Sequence, residues 1–300
     1  MAKSTLTPEL LRQPVRRAAR SLARLHLLKV LEEAARLEVD VLPGTSPEAD
    51  DSEAVHDFRV ALRRLRSWLQ AFRPFLGDTR RSERAMRRLS RVAGVARDLQ
   101  VQRGTLCEMG NGGTTAALDA RRIELQISRD AAQARRRVTR AIIDGLPQAA
   151  AGLAAGLHAG EVITDPTMSV AMARLLAERQ EQVETSLSRL KRTGQVNAAH
   201  RARIAVKRLR YLLESFGRSS RLAAGAVRRL TGVQDELGKL HDTQLLLDRI
   251  ADRAKPALRV RLRRDIRTGL RRARRLSRSH DITSARQVTT RLIRRLDPRS

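Results

Sequence analysis

The chain is poor in cysteine, in aromatic side chains and in long apolar runs, and each shortage excludes a class of protein. Cys107 is the single cysteine among 300 residues, so neither a disulfide framework nor a cysteine-ligated metal site can form. Charged residues interrupt every apolar stretch within a few positions, which argues against a membrane-spanning helix. With only 2% aromatic residues, the core is expected to be aliphatic and alanine-rich. We expect a cytoplasmic protein.

Acidic residues are also scarce compared with basic ones. The chain has 61 Lys and Arg against 32 Asp and Glu, a net charge of +29, and nearly all of the cations are arginine. A field of this strength implies a polyanionic partner such as nucleic acid, an anionic membrane or a phosphate polymer. Arginine grips phosphate oxygens in pairs through its planar fork of donors. Composition alone leaves these partners open.

A seventeen-residue motif occurs twice in the chain, in two similar copies. The first copy, 56–72, reads HDFRVALRRLRSWLQAF, and the second, 200–216, reads HRARIAVKRLRYLLESF. A shorter match, AGVARDLQV at 93–101 and LGKLHDTQL at 237–245, keeps the same shift of 144 residues. Two matches in one register indicate an internally duplicated fold.

Each copy predicts a helix with cations along one side. At about 100° per residue, the histidine and most of the cations fall within an arc of roughly 80°, apart from the leucines and phenylalanines. Successive cations are separated by roughly 5 Å along the helix axis, a spacing that suits a linear polyanion lying along the helix. Arginine-rich faces are usually solvated surface, but the matching identities favour function here. The matched pairs are His56 and His200, Arg59 and Arg203, Arg63 and Lys207, Arg64 and Arg208, and Arg66 and Arg210.

Further charged residues follow each copy. Asp98 and Asp242 are acids in cationic surroundings, and each is expected either to orient a motif arginine or histidine or to form a plain packing salt bridge. The arginines from Arg80 to Arg91, and the dense run at 259–278, fit a binding role or a solvated face equally well. Secondary binding candidates are Arg84, Arg88, Arg91, Arg97 and His241.

Helical periodicity runs through nearly the whole chain, and strand signals are nearly absent. Four helices in each half predict an all-α fold of two pseudo-symmetric four-helix bundles. We expect the first bundle at 8–150, a linker at 151–165 and the second bundle at 166–297. The predicted helices are 10–37, 52–72, 79–106, 116–144, 168–192, 197–216, 220–254, 256–277 and 284–296, with a loop at 41–53.

The doubled motif resembles the CHAD family, the conserved histidine α-helical domain. The resemblance rests on H-x-x-R-V-A-L-R-R-L-R at 56–66, H-x-x-R-I-A-V-K-R-L-R at 200–210, and the segments at 94–98 and 238–242, and it covers about 10–296. It implies two four-helix bundles and binding of inorganic polyphosphate in a basic channel between them, with association to cytoplasmic polyphosphate granules. The implied ligand contacts are His56, Arg59, Arg63, Arg64, Arg66, His200, Arg203, Lys207, Arg208 and Arg210.

The chain also departs from the family pattern. His241 stands where many members have asparagine, and Ala93 where leucine is common. Many members carry a CYTH triphosphatase domain, but no alternating-glutamate strand pattern occurs here, so we expect a protein that is not an enzyme. We expect no cofactor and no metal site, because arginine neighbours of the motif histidines repel divalent cations. His26, His158 and His280 are interpreted as surface or packing residues.

Two other functions stay open. The charge permits nucleic-acid binding, although the few aromatic residues lie mostly on apolar faces, which disfavours stacking on single strands. Nucleic acid is therefore treated as a nonspecific competitor. A phosphohydrolase or metal-binding protein is a further alternative, without a glycine-rich phosphate loop or an acidic cluster to support it. If polyphosphate is the ligand, the motif histidines predict tighter binding at pH 6 than at pH 8.

Overall fold

Ten α-helices make up the computed structural model across the residues that it describes, 5–39, 51–158 and 165–297. Within these ranges the extended pairing is limited to one isolated bridge between Pro14 and Thr167, so the predicted all-α class is confirmed. The helices are α1 Pro8–Arg12, α2 Val15–Val39, α3 Asp51–Ala71, α4 Arg80–Met109, α5 Thr115–Gly156, α6 Met168–Thr193, α7 Val196–Glu214, α8 Arg221–Ile250, α9 Pro256–Leu276 and α10 His280–Leu296.

The chain divides into two compact units, and the first runs from Ala19 to the end of α5. Its four helices are the rest of α2, then α3, α4 and α5. Apolar residues three and four positions apart on α3 are fully buried, so this face turns to the core. Trp68 on α3 donates its indole N–H to the Ala19 carbonyl on α2 at 2.9 Å. This face of α3 includes Phe58, Leu62, Leu65 and Leu69, and Phe72, just beyond the end of α3, continues it.

The second unit holds α6 to α10 together with the segment before Ala19. Helix α7 packs against both α6 and α8. The tail helix α10, which starts at His280 rather than at the predicted Ser284, packs against α6 and α8. Helix α9 packs mainly against α8, and its arginines are mostly exposed.

The predicted domain boundaries were wrong for the N-terminal segment. We expected residues from 8 onward in the first bundle, but those up to Ala18 belong to the second unit. Leu6 is fully buried, and its backbone N–H donates to the Ser215 carbonyl. Gly217 has a φ of 52° and lies so close to Thr5 that a Cβ at this position would clash with it. Long-range pairing of this kind leaves no periodic signal in a sequence.

The predicted end of helix α5 was also wrong, because the helix continues into the predicted linker. It continues beyond the predicted end at Asp144 to Gly156, with Pro147 inside it. Buried Leu146, Ala149 and Leu153 keep the helical spacing of the apolar face. Packing of this face outweighs the weak helix propensity of glycine and proline. Residues 41–50 of the predicted loop at 41–53, and residues 159–164 of the predicted linker at 151–165, lie outside the described residues.

None of the described helices is long and apolar enough to cross a membrane.

Candidate anion-binding surfaces

The first repeated motif lies on α3, and its cations face α4. Arg59 Nη1 lies 3.2 Å from the Asp98 carboxylate, and Arg66 donates from Nη1 to the Ser90 hydroxyl at 2.9 Å. The partner number falls as the arginine number rises, so the two helices run antiparallel. Asp98 therefore pairs with a motif arginine, which fits both the orienting role and the packing salt bridge. We call this cluster the first basic surface: His56, Arg59, Arg63, Arg66, Arg87, Arg91, Arg97 and Asp98.

Like charges crowd one another on the first basic surface. Burial lowers the pKa of Arg66, and the neighbouring cations Arg87 and Arg91 lower it further. Glu83 acts in the opposite direction, but its carboxylate already accepts hydrogen bonds from Arg73 and Thr79. Guanidinium groups brought together with few acids form a surface that an anion would stabilise.

His56 lies at the other end of this surface, half-buried. Burial lowers the pKa of His56, and Arg97, Arg63 and Arg59 lower it further, against a smaller opposing effect of Asp57. The imidazole is consequently harder to protonate than a free histidine. The expected titration near neutrality therefore moves to more acidic pH as long as no anion is bound.

The second motif lies on α7 and faces α8 in the same register. Arg210 donates from Nε to the Gln234 side chain at 3.0 Å, and it pairs with Glu214 at 2.7 Å. Residues 210 and 234 correspond to Arg66 and Ser90 after the 144-residue shift, so equivalent positions make equivalent contacts. We call this cluster the second basic surface: His200, Arg203, Lys207, Arg210, Glu214, His241 and Asp242.

Two histidines meet on the second basic surface. The Nδ1 atoms of His200 and His241 are 3.3 Å apart, and the ring centroids are 4.7 Å apart. Burial lowers the pKa of His200, and Arg203, Lys207 and Arg201 lower it further. In the first unit, His56 stands at the position equivalent to His200, and Arg97 at the position equivalent to His241.

Two of the predicted motif cations lie off these surfaces. Arg64 and Arg208 are exposed and sit about 80° or more around their helices from the centre of the cation arcs. Arg208 lines a groove of about 510 Å³ between α6 and α7, together with Arg201 and Glu181. On α4, Arg84 is three residues before Arg87 and lies on the same side of the helix as Arg87 and Arg91, whereas Arg88 lies about 60° around the helix from Arg91.

Arg87 was considered only among the arginines from Arg80 to Arg91 and was not named as a secondary candidate, although it belongs to the first basic surface. The signal was in the sequence, because Arg87, Arg91, Gly94 and Asp98 repeat at spacings of four and three along α4. Once Asp98 is placed against Arg59, this spacing assigns Arg87 and Arg91 to the same face. Arg84 continues the same spacing, whereas Arg88 lies to one side of it.

The other histidines have local surroundings. His26 on α2 is half-buried, with its ring centroid 5.7 Å from that of Trp68. Burial lowers the pKa of His26 to about 4, with Arg64 adding to the effect. His158 and His280 are exposed. In the described ranges no three His, Cys, Asp or Glu side chains lie close enough together to hold a metal ion.

The fold and surfaces define an all-α protein of two units, each with a cation-rich helix pair. The CHAD domain family model matches residues 26–251, and the chain belongs to this family.

Two solved structures share the fold. The CHAD domain from the plant Ricinus communis is 22% identical, with a TM-score of 0.66 over 89% of this chain and 94% of that one. PptA from Streptomyces chartreusis is 17% identical, with a TM-score of 0.60 over 93% of this chain and 99% of that one. A comparison with curated proteins gave no match.

Proposed function

We propose that this protein binds inorganic polyphosphate through the first and second basic surfaces, without converting it chemically, and associates with polyphosphate granules. Membership of the CHAD family supports an association with polyphosphate. The ligand contacts are His56, Arg59, Arg63 and Arg66 with Arg87, Arg91 and Arg97 on the first surface, and His200, Arg203, Lys207 and Arg210 with His241 on the second.

The observation that carries this proposal is the crowding of like charge around Arg66. Arg66 is half-buried, and Arg87 and Arg91 both act on it. An ordinary solvated arginine points into water, where repulsion is weak and easily screened. Here the helices hold guanidinium groups together, so an anion gains several charge-assisted hydrogen bonds with little ordering of side chains.

The ligand class follows from the shape of the surfaces. The cations of α3 are spaced along one helix face, with a second row on α4 beside them. A chain of phosphate groups presents negative charges at short, regular intervals, and it has no bases that the protein would have to contact. The aromatic side chains Trp68, Phe58 and Phe72 are buried, so they cannot act as stacking platforms for bases.

A calorimetric titration with long-chain polyphosphate tests the proposal. Arg63→Gln with Arg66→Gln removes two cations of the first surface, and we expect the affinity to fall by roughly tenfold or more, since each charged hydrogen bond contributes about 1.5 kcal/mol. Arg136→Gln with Arg137→Gln is the matched control, because both residues are exposed on α5 and the net charge change is the same. Equal losses of affinity in the two double variants would show that the net charge of the protein, and not the position of these arginines, determines binding.

Two further measurements address the alternatives. Duplex DNA at equal phosphate concentration should displace polyphosphate poorly, and efficient displacement would favour a nucleic-acid-binding protein. Incubation of the purified protein with polyphosphate and magnesium or manganese should release no orthophosphate. Release above the level of a heat-denatured sample would identify a phosphohydrolase.

A further inference from the structure

The two basic surfaces differ in charge at equivalent positions. The α4 row of the first surface carries Arg87, Arg91 and Arg97, whereas the positions 144 residues later carry Thr231, Asp235 and His241. On α7 itself, Arg210 is already paired with Glu214 at 2.7 Å, and the residue at the equivalent position of α3 is Gln70. The second surface therefore has fewer permanent cations and more acids than the first.

The histidine pair is the group whose charge can change on the second surface. At 3.3 Å, one Nδ1 donates to the other, so the contact requires that at least one ring be neutral. A second proton would replace this hydrogen bond by repulsion between two imidazolium rings. Both Nδ1–H groups would then be available to donate to an anion.

The charges around the pair are mainly cationic. Arg203, Lys207 and Arg201 of α7 act on His200 and oppose its protonation. On α8, Asp242 directly follows His241 and is the acid next to the pair. Helix α8 itself also carries Glu236 and Lys239. The neighbouring helices carry Lys191 and Arg192 in the last turn of α6, which packs on α7, and Arg272 and Arg274 on α9, which packs on α8.

We propose that the second basic surface is a proton-gated phosphate site, in which His200 and His241 bind the anion only when both are protonated, whereas the first surface binds mainly through permanent charges. This inference rests on the proposed function and adds its regulation. Arg97 at the position of His241 keeps its charge throughout the pH range of cells.

Linkage fixes the sign of the effect. Phosphate beside the imidazole rings raises the pKa of the pair, so binding takes up protons, and the affinity increases as the pH falls from the bound-state pKa towards the free-state pKa. Each unit of pKa shift changes the affinity by about tenfold once the free pair is also protonated. Long-chain polyphosphate is a suitable probe because its internal phosphates stay ionised at pH 6 and at pH 8.

A reciprocal exchange tests the proposal in the full-length chain. Wild type should bind long-chain polyphosphate about three- to tenfold more tightly at pH 6 than at pH 8. His241→Arg should bind more tightly than wild type at pH 8 and lose most of this ratio, with a remainder of about twofold or less from His56. Arg97→His should weaken binding at pH 8 and increase the ratio.

Proton uptake gives a readout that does not depend on affinity. Titrations at pH 6.5 in two buffers of different ionisation enthalpy should show about one proton fewer taken up by His241→Arg than by wild type. His241→Gln, a neutral variant, should also lose the pH ratio while binding less tightly at pH 6. Retention of the wild-type ratio and proton uptake in both His241 variants would overturn the proton gate and leave polyphosphate binding intact. Absence of binding to wild type at both pH values would overturn the proposed function itself.

Discussion

Arg59 and Asp98 form an ion pair between α3 and α4, with 3.2 Å between Nη1 and Oδ1. The pair lies within the first basic surface, so the carboxylate subtracts a charge from the site while it orients one of its cations. Both side chains are partly exposed, at 21% for Arg59 and 33% for Asp98. An exposed pair of this kind contributes about 0.2–1 kcal/mol to stability.

We therefore expect Asp98→Asn to tighten polyphosphate binding. The amide oxygen can still accept a hydrogen bond from Arg59, while the negative charge that repels phosphate is gone. The affinity should rise by about two- to fivefold at low salt, and the free energy of unfolding should fall by less than about 1 kcal/mol. Calorimetric titration and urea unfolding measure the two effects. Weaker binding by this variant would show that the position of Arg59 matters more than the net charge.

The salt dependence of binding should report the number of phosphate contacts. Bound phosphates release counterions, so the logarithm of the affinity should fall linearly with the logarithm of the salt concentration, with a slope of about 0.7 per contact for a single-stranded polyanion. Arg63→Gln with Arg66→Gln should reduce the slope by about 1 to 1.5. Arg136→Gln with Arg137→Gln should leave it unchanged. A slope near zero in wild type would argue against ion exchange as the mode of binding.

Two glycines of α5 should respond in opposite ways to alanine. A Cβ on Gly156 would lie 2.7 Å from the Asp78 carbonyl oxygen, so Gly156→Ala should destabilise the protein by about 1–3 kcal/mol. Gly145 has open space around it, and Gly145→Ala should stabilise the helix by about 0.5–1 kcal/mol. Thermal unfolding measures both changes. A neutral result at Gly156 would indicate that α5 ends earlier.

His26 should make the first unit sensitive to acid. Its pKa is about 4 in the folded chain and near 6.5 when unfolded, so its contribution to stability is complete above pH 6.5 and is lost as the pH falls towards 4. The loss amounts to about 3 kcal/mol at most. His26→Phe should remove this part of the pH dependence, while His158→Gln, an exposed control, should not. Urea unfolding at pH 7 and pH 4.5, followed by the fluorescence of Trp68, tests this.

Much of the fold and of the surfaces could be predicted from the sequence, because both depend on helical periodicity. The arc that contains Arg59, Arg63 and Arg66 follows from spacing within one helix. The spacing could not assign the neighbours on α4, since the rotation of one helix against another depends on packing. For this reason Arg84, Arg88 and Arg91 were named as secondary candidates, whereas Arg87 was considered only among the arginines from Arg80 to Arg91.

Helix ends and domain boundaries were less predictable for a related reason. Glycine and proline near Gly145 and Pro147 resemble a linker locally, but the apolar face of α5 continues through them. His241 is a further example. Its departure from the family pattern was visible in the sequence, whereas its contact with His200, forty-one residues away, required the structure.

The burial of Leu6 against Ser215 has a consequence for biosynthesis. The segment 5–18 is translated before the first unit, yet the helices that cover it are translated after that unit, so it must wait while the whole first unit is made. Until then its apolar side chains are exposed to chaperones and to neighbouring nascent chains. The second unit can complete its folding only after α6 to α10 have also been translated.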